Sequence, residues 1–174
     1  FGDIVVANES GIEVWLNDGT NNFGAAGAND TPNDAINISA VRAIAVADAN
    51  CDGFPDLYVA RDGAPNAFFL NPSAAPGDFA TTPDQEFSHA ALGRAPEQFT
   101  FDIAVGDVNG DGRPDVVTAN RGTVNTSQTA NHIYVQISDG PTADDFIYEP
   151  TTATYDIEPG SDTQAVALAD LDGD

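Results

Sequence analysis

The sequence contains no methionine, no lysine and a single cysteine, Cys51, and each scarcity excludes a design. One cysteine cannot close an internal disulfide, so a framework of bridges is ruled out. The compartment stays open on this count, because a chain stapled by metal ions needs no disulfides. With no lysine and five arginines against 28 acidic residues, the formal net charge is −23. A surface of that sign repels phosphate backbones and anionic lipid, which argues against nucleic acid or a membrane surface as partner. It also opposes its own compaction unless cations neutralise it. No apolar run approaches the roughly 18 residues needed to span a bilayer, so no membrane insertion is expected, and no signal peptide is recognisable. Leucine is sparse, and no segment shows a convincing helix period.

What remains is rich in Val, Ile, Ala, Thr and Gly, a composition of strands, and 174 residues suffice to bury a core. Against that background one pattern recurs. Asp48-Ala-Asn-Cys-Asp-Gly-Phe-Pro-Asp56 and Asp107-Val-Asn-Gly-Asp-Gly-Arg-Pro-Asp115 are complete copies, Asp170-Leu-Asp-Gly-Asp174 opens another, and Phe1-Gly2-Asp3 aligns with the close of one. Because its first residue falls inside a motif, the sequence is expected to be part of a longer chain. The copies are spaced by 59 residues (Asp48 to Asp107) and 63 residues (Asp107 to Asp170), with 53 for the partial copy (Asp3 to Asp56). Periods of about 50 to 60 residues with short strands fit one four-stranded propeller blade better than a smaller solenoid coil. Counted from loop to loop, the units are 1–53, 54–112 and 113–174. We therefore expect an all-β chain of about three tandem blades, forming an open arc or part of a larger propeller or array.

Each unit reads alike. A strand enters the loop (43–47, 101–105) and another leaves it (3–7, 56–60, 115–119). A third follows a turn (11–16, 66–70, 131–137) and ends in a second turn closed by Phe, as in Asn17-Asp-Gly-Thr-Asn-Asn-Phe23. A variable fourth strand is expected around 86–92 and 149–157. By composition 24–35, 71–84 and 122–129 are exposed loops, where a recognition surface would sit.

In the nine-residue loop, oxygen-bearing side chains fall at positions 1, 3, 5 and 9, and a backbone carbonyl at position 7 can add one more. These are Asp48, Asn50, Asp52, Phe54 and Asp56, then Asp107, Asn109, Asp111, Arg113 and Asp115, with Asp170, Asp172, Asp174 and Asp3 in the partial copies. Ca²⁺ takes six to eight such hard ligands. Gly53 and Gly112 allow the turn at position 6. An EF-hand would need glutamate at position 12 between two helices, whereas this chain has Val59 or Thr118 there and strands on both sides. Asp-Gly turns without metal are common in hairpins, but recurrence in phase favours a cation site. Three such ions, at +2 each, would reduce the charge from −23 to about −17.

These loops, with the hydrophobic strand before and the Asp-led strand after, resemble the FG-GAP/VCBS repeat of integrin α-subunit propellers and secreted bacterial proteins. The stretch from Asp52 to Ala60, followed by Pro65-Asn66 and Phe69-Leu-Asn71, resembles the secreted bacterial form most. The resemblance spans nearly the whole chain and implies propeller blades, calcium at the loops, and extracellular roles in adhesion, ligand binding or architecture. It implies no catalytic residues. Two departures are Cys51, where Gly is usual at position 4, and about three units where family propellers commonly have seven.

No catalytic constellation emerges, and the chain is not expected to be an enzyme. His89 and His132 lie far apart in sequence. Trp15, Tyr58, Phe68, Phe69 and Tyr134 are expected to pack between blades, with an aromatic platform for carbohydrate as the sharper alternative. Sequons at Asn8, Asn29, Asn37 and Asn125 are candidate glycosylation sites. The expected partners are a protein or carbohydrate ligand, or neighbouring copies of the chain joined head to tail through a shared calcium site. The competing reading is a non-catalytic propeller of a secreted polysaccharide-active enzyme whose active site lies elsewhere.

Overall fold

The computed structural model describes residues 1–20, 22–24, 31–87, 99–121, 131–137, 148–150 (backbone only) and 162–171. Among these every regular element is a strand. They are β1 (Ile4–Asn8), β2 (Gly11–Trp15), β3 (Asp34–Ile36), β4 (Val41–Ala47), β5 (Asp56–Arg61), β6 (Asn66–Phe69), β7 (Gln85–Phe87), β8 (Thr100–Gly106), β9 (Asp115–Asn120), β10 (His132–Gln136) and β11 (Tyr148–Pro150).

The strands form three antiparallel meanders, β1-β2-β3, β4-β5-β6-β7 and β8-β9-β10-β11, which stack side by side without closing. The two four-stranded sheets share a register. Ala47 pairs with Asp56 and Val46 with Leu57, as Gly106 pairs with Asp115 and Val105 with Val116. Even the bulge repeats, between Val41 and Ala43 and between Thr100 and Asp102. Arg42 at the first bulge lies 5.6 Å above the ring of Phe101 at the second. The loop-to-loop unit is out of phase with the hydrogen-bonded sheet, so 54–112 holds three strands of the middle sheet and the first strand of the next.

The alternation of β5 explains the stacking. In a strand, neighbouring side chains point to opposite faces. Leu57 and Val59, with Ala67 and Phe69 of β6, meet Ile12, Val14 and Ile36 of the first sheet. Tyr58 and Ala60, with Phe68, meet Ile103, Val116 and Tyr134 of the third. The middle sheet is thus buried on both faces, as its β-branched and aromatic sequence requires. Tyr58 and Phe68 meet at a tilt of 52° with 4.9 Å between ring centroids, and Phe87 meets Tyr134 edge-on at 5.4 Å. Burying each such side chain contributes about 1.5–3 kcal/mol. Trp15 is half-buried, with its ring against Gly24.

A buried polar chain crosses the seam between the second and third sheets. Asn66 Nδ2 donates to Thr100 Oγ1 at 3.1 Å, Thr100 Oγ1 to Asn120 Oδ1 at 2.8 Å, and Asn120 Nδ2 to Thr118 Oγ1 at 3.1 Å. Gly11, which opens β2, has φ of 136°, and a Cβ there would sit 2.1 Å from the Ile36 carbonyl oxygen, so a side chain at that point would push β3 away.

Three sequence expectations need correction. Asp34 and Ala35, the end of the expected exposed loop 24–35, belong to β3 (Asp34–Ile36), held in place because the next residue, Ile36, completes the first core. The loop 71–84 is not wholly exposed: Phe79 is buried in the same core, and its N–H donates to Asp34 Oδ2 at 2.9 Å. The fourth strands begin a residue earlier than expected, at Gln85 and Tyr148, and the remainder of both expected spans lies outside the described residues. The 122–129 loop and His89 also lie outside them, while His132 opens β10 and is buried.

Candidate metal sites in the aspartate-rich loops

Both complete loops close a hairpin between the first two strands of a four-stranded sheet, β4 to β5 and β8 to β9. Their internal hydrogen bonds match almost one for one. At position 1, Asp48 Oδ2 accepts from Gly53 N at 2.8 Å, and Asp107 Oδ2 from Gly112 N at 2.7 Å. Their Oδ1 atoms accept from the position-5 amides, Asp52 N and Asp111 N, both at 3.1 Å. At position 3, Asn50 and Asn109 offer Oδ1 to the same amides and donate through Nδ2 to the position-5 carboxylates. At position 5, Asp52 Oδ1 and Asp111 Oδ1 accept from Phe54 N and Arg113 N, both at 2.9 Å.

The backbone carries the same imprint. Position 6 is left-handed in both loops, with φ of 91° at Gly53 and 86° at Gly112. Position 4 is left-handed too, at 78° for Gly110 but 58° for Cys51, where a Cβ is strained.

Position 9 has a further duty. Asp56 Oδ2 accepts from Ala49 N and Oδ1 from Asn71 N, both at 2.8 Å. Asp115 repeats this with Val108 N at 3.0 Å and Gln136 N at 2.9 Å. Asp3 Oδ1 accepts from Asn17 N at 2.8 Å in the first sheet. Each position-9 carboxylate therefore ties the end of the third strand to the second, and in the complete loops it also ties down the loop's start. Asp56 and Asp115 are fully buried. Burial raises the Asp56 carboxyl to about 6, outweighing the two N–H bonds, and repulsion from Asp52 and Asp48 adds to the rise. Asp115 is raised for the same leading reason, with Asp111 and Asp107 adding repulsion. By contrast Asp107 is lowered chiefly by the Gly112 amide, and Asp111 chiefly by the Arg113 amide.

The loops differ at position 7. Phe54 brings no charge, whereas the Arg113 guanidinium donates to Asp111 Oδ2 at 2.6 Å and to the Gln136 carbonyl at 3.0 Å. Loop two thus carries its own counter-charge.

The donor set suits a hard cation: three carboxylates and an amide oxygen in one short loop, with repulsion among the carboxylates that a cation would relieve. The arrangement is not a finished cage. Among the described residues no group of three or more His, Cys, Asp or Glu converges where a metal ion would sit. The carboxylates are turned onto their own loop's amides, and each still has unused lone pairs. The residues fit the ion by chemistry, and the side chains would turn to meet it.

The partial copies are less complete. Asp3 fills the position-9 role on its own sheet, and Asp170 follows a segment lying beside β8, while Asp172 and Asp174 lie outside the described residues. Of the sequons, Asn8 sits exposed at the β1–β2 turn, where its amide donates to Glu13 Oε1, and Asn37 is exposed between β3 and β4. Asn29 and Asn125 lie outside the described residues.

Sequence reasoning missed the residues that receive the loops. Asn71 Nδ2 donates to the Pro55 carbonyl at 2.9 Å, and Asn17 Nδ2 makes the matching bond to the Gly2 carbonyl at 3.2 Å. Gln136 Nε2 reaches from the third sheet to the Ala49 carbonyl in the loop of the second, at 2.8 Å. The recurrence of Asn17 and Asn71 at one phase was a visible signal, whereas no local pattern marks Gln136.

Repeated meanders, matched registers and matched loops define a tandem β-blade protein of the propeller type. Comparison with known families gives the same answer over the full length: the FG-GAP-like repeat matches residues 1–59, 50–118 and 107–174. The chain belongs to the FG-GAP-like repeat family. No curated protein and no solved structure matched it.

Proposed function

We propose that this chain is a calcium-stabilised, extracellular repeat module that serves adhesion, ligand binding or structural assembly and is not itself a catalyst. The observation that supports this most is the near bond-for-bond equivalence of the two loops, each presenting hard oxygen donors beside a buried carboxylate. Asp48, Asn50, Asp52 and Asp56 would hold one ion, and Asp107, Asn109, Asp111 and Asp115 the other. When bound, the cation supplies positive charge where carboxylates crowd. The chain's own part is to fix the loop between two strands and brace it through Asn71 or Gln136. Free calcium is abundant outside cells, which suits modest-affinity loops and an extracellular setting.

Ligands would meet the loops from open grooves. One of about 640 Å³ adjoins the first loop and is lined by Asn50, Asp52, Asn71, Asp78, Phe79 and Asp84. Its mixture of carboxylates, amides and an aromatic edge suits a polar or cationic ligand.

The test is a calcium count by equilibrium dialysis. Asp48→Ala and Asp107→Ala should each remove one bound ion. Chelation should lower the melting temperature, because occupancy at about 10–100 times Kd contributes about 1.4–2.7 kcal/mol per site. Absence of bound calcium together with no effect of chelator would sink the proposal.

A further inference from the structure

Three residues fill one place in the three sheets, and one of them reaches somewhere else. Asn17, Asn71 and Gln136 each donate a backbone N–H to the position-9 carboxylate of their own sheet, Asp3, Asp56 and Asp115. The two asparagines keep their side-chain amides local, donating to the Gly2 and Pro55 carbonyls just before that same carboxylate. Gln136 is a methylene longer. Its Nε2 leaves the third sheet for the carbonyl of Ala49, position 2 of the first complete loop, 2.8 Å away. Gln136 and Ala49 are both fully buried, so water does not compete for this bond. A chain of hydrogen bonds therefore joins the two complete loops. On the first loop, Ala49 N donates to Asp56 Oδ2 at 2.8 Å while the carbonyl of the same residue takes the glutamine amide. On the second, Gln136 N donates to Asp115 Oδ1 at 2.9 Å, and its carbonyl accepts from Arg113 Nε at 3.0 Å. Arg113 Nη2 carries the chain on to Asp111 Oδ2 at 2.6 Å. One residue is thus tied to position 9 of the first loop and to positions 5 and 9 of the second.

We propose that Gln136 couples the two loops, so that calcium bound at either one raises the affinity of the other. The coupling rests on the cation reading proposed above. An ion at the second loop takes lone pairs that the two N–H donors leave free on Asp115, and it fixes that carboxylate together with the Gln136 amide. The glutamine side chain then holds Ala49, and the start of the first loop has less freedom to lose when its own ion arrives. By linkage the first loop acts on the second by the same factor. The net worth of one intramolecular hydrogen bond sets the size, which corresponds to about two- to tenfold in affinity.

The test is a calcium titration of the intact chain followed through the amide resonances of Gly53 and Gly112, which report the two loops separately. With Asp107→Ala disabling the second loop, half-saturation at Gly53 should need about two- to tenfold more calcium, and Asp48→Ala should shift Gly112 by a similar factor. Gln136→Asn, the residue type of the first two sheets and too short to reach Ala49, should abolish both shifts while each loop still binds its ion. Gln136→Met, which has no donor, should do the same. In the cation-free chain both variants should speed hydrogen exchange at the Ala49 amide. Both also keep every charge, so coupling by charge alone would survive them, and its survival in both overturns the role of Gln136. Two ions bound independently in the parent chain overturn the coupling and leave the cation reading standing, a result that needs no Gln136 variant to fold. Absence of any bound calcium overturns both.

Discussion

Acidification should stabilise the cation-free protein, and Asp56 sets the expected size of the effect. Its carboxyl is fully buried and rises from an ordinary 3.8 to about 6. Between those values the folded chain binds a proton that the unfolded chain does not. Folding is therefore favoured as pH falls through 6, and the gain is complete below 3.8. At about 1.4 kcal/mol per pH unit the gap corresponds to roughly 3 kcal/mol, or about 6–12 °C in Tm for a chain of this size. Asp115 adds in the same direction. Calcium should reverse the trend, since a bound cation holds the loop carboxylates ionised and protonation competes with it. The assay is a melting series from pH 7.5 to 4.5 on chelated, desalted protein and on protein saturated with calcium. Asp56→Asn serves as control, because general relief of the −23 charge also favours the acid side but survives that substitution. A cation-free Tm that falls steadily on acidification, or an Asp56→Asn profile identical to the parent, would refute the reasoning.

Three further outcomes follow from the geometry. Arg113→Ala should tighten calcium binding at the second loop by up to about fivefold in titration calorimetry, since an exposed ion pair at Asp111 is worth about 0.2–1 kcal/mol and would no longer compete. Cys51→Gly should raise stability in denaturant titrations by up to about 1 kcal/mol, as relief of a left-handed residue outweighs glycine's extra entropy, while Gly110→Ala should cost about 1–2 kcal/mol. Phe69→Ala should cost about 3–5 kcal/mol by the same measurement, because the ring is fully buried at the seam between the first two sheets.

Much of the fold was legible because strand and loop chemistry repeat in phase. Asp-Leu-Tyr-Val-Ala at 56–60 and Asp-Val-Val-Thr-Ala at 115–119 announce the same strand, and the Asn17-to-Phe23 turn is closed by a bridge between those two residues. What escaped was non-local. Nothing near Ile36 in sequence says that it completes a core with Leu57 and Phe69, so Asp34 and Ala35, which lead into it, looked like the end of a loop. Phe79 sits among Gly, Pro and Ala, and only the tertiary core explains its burial. In the loops, the residue types pointed to hard-cation chemistry. That the position-9 carboxylates are structural braces depends on partners 15 and 21 residues away, at Asn71 and Gln136, and such spacing has no local signature.

Leu57 and Tyr58 are adjacent in the chain yet belong to different cores. The middle blade has no interior of its own; its two surfaces are lent to its neighbours. Deleting or swapping it would therefore damage both flanks, while a single side chain can be chosen to loosen one seam and spare the other. That turns β5 into a pair of independent handles, one residue apart, for measuring how far each blade depends on the next.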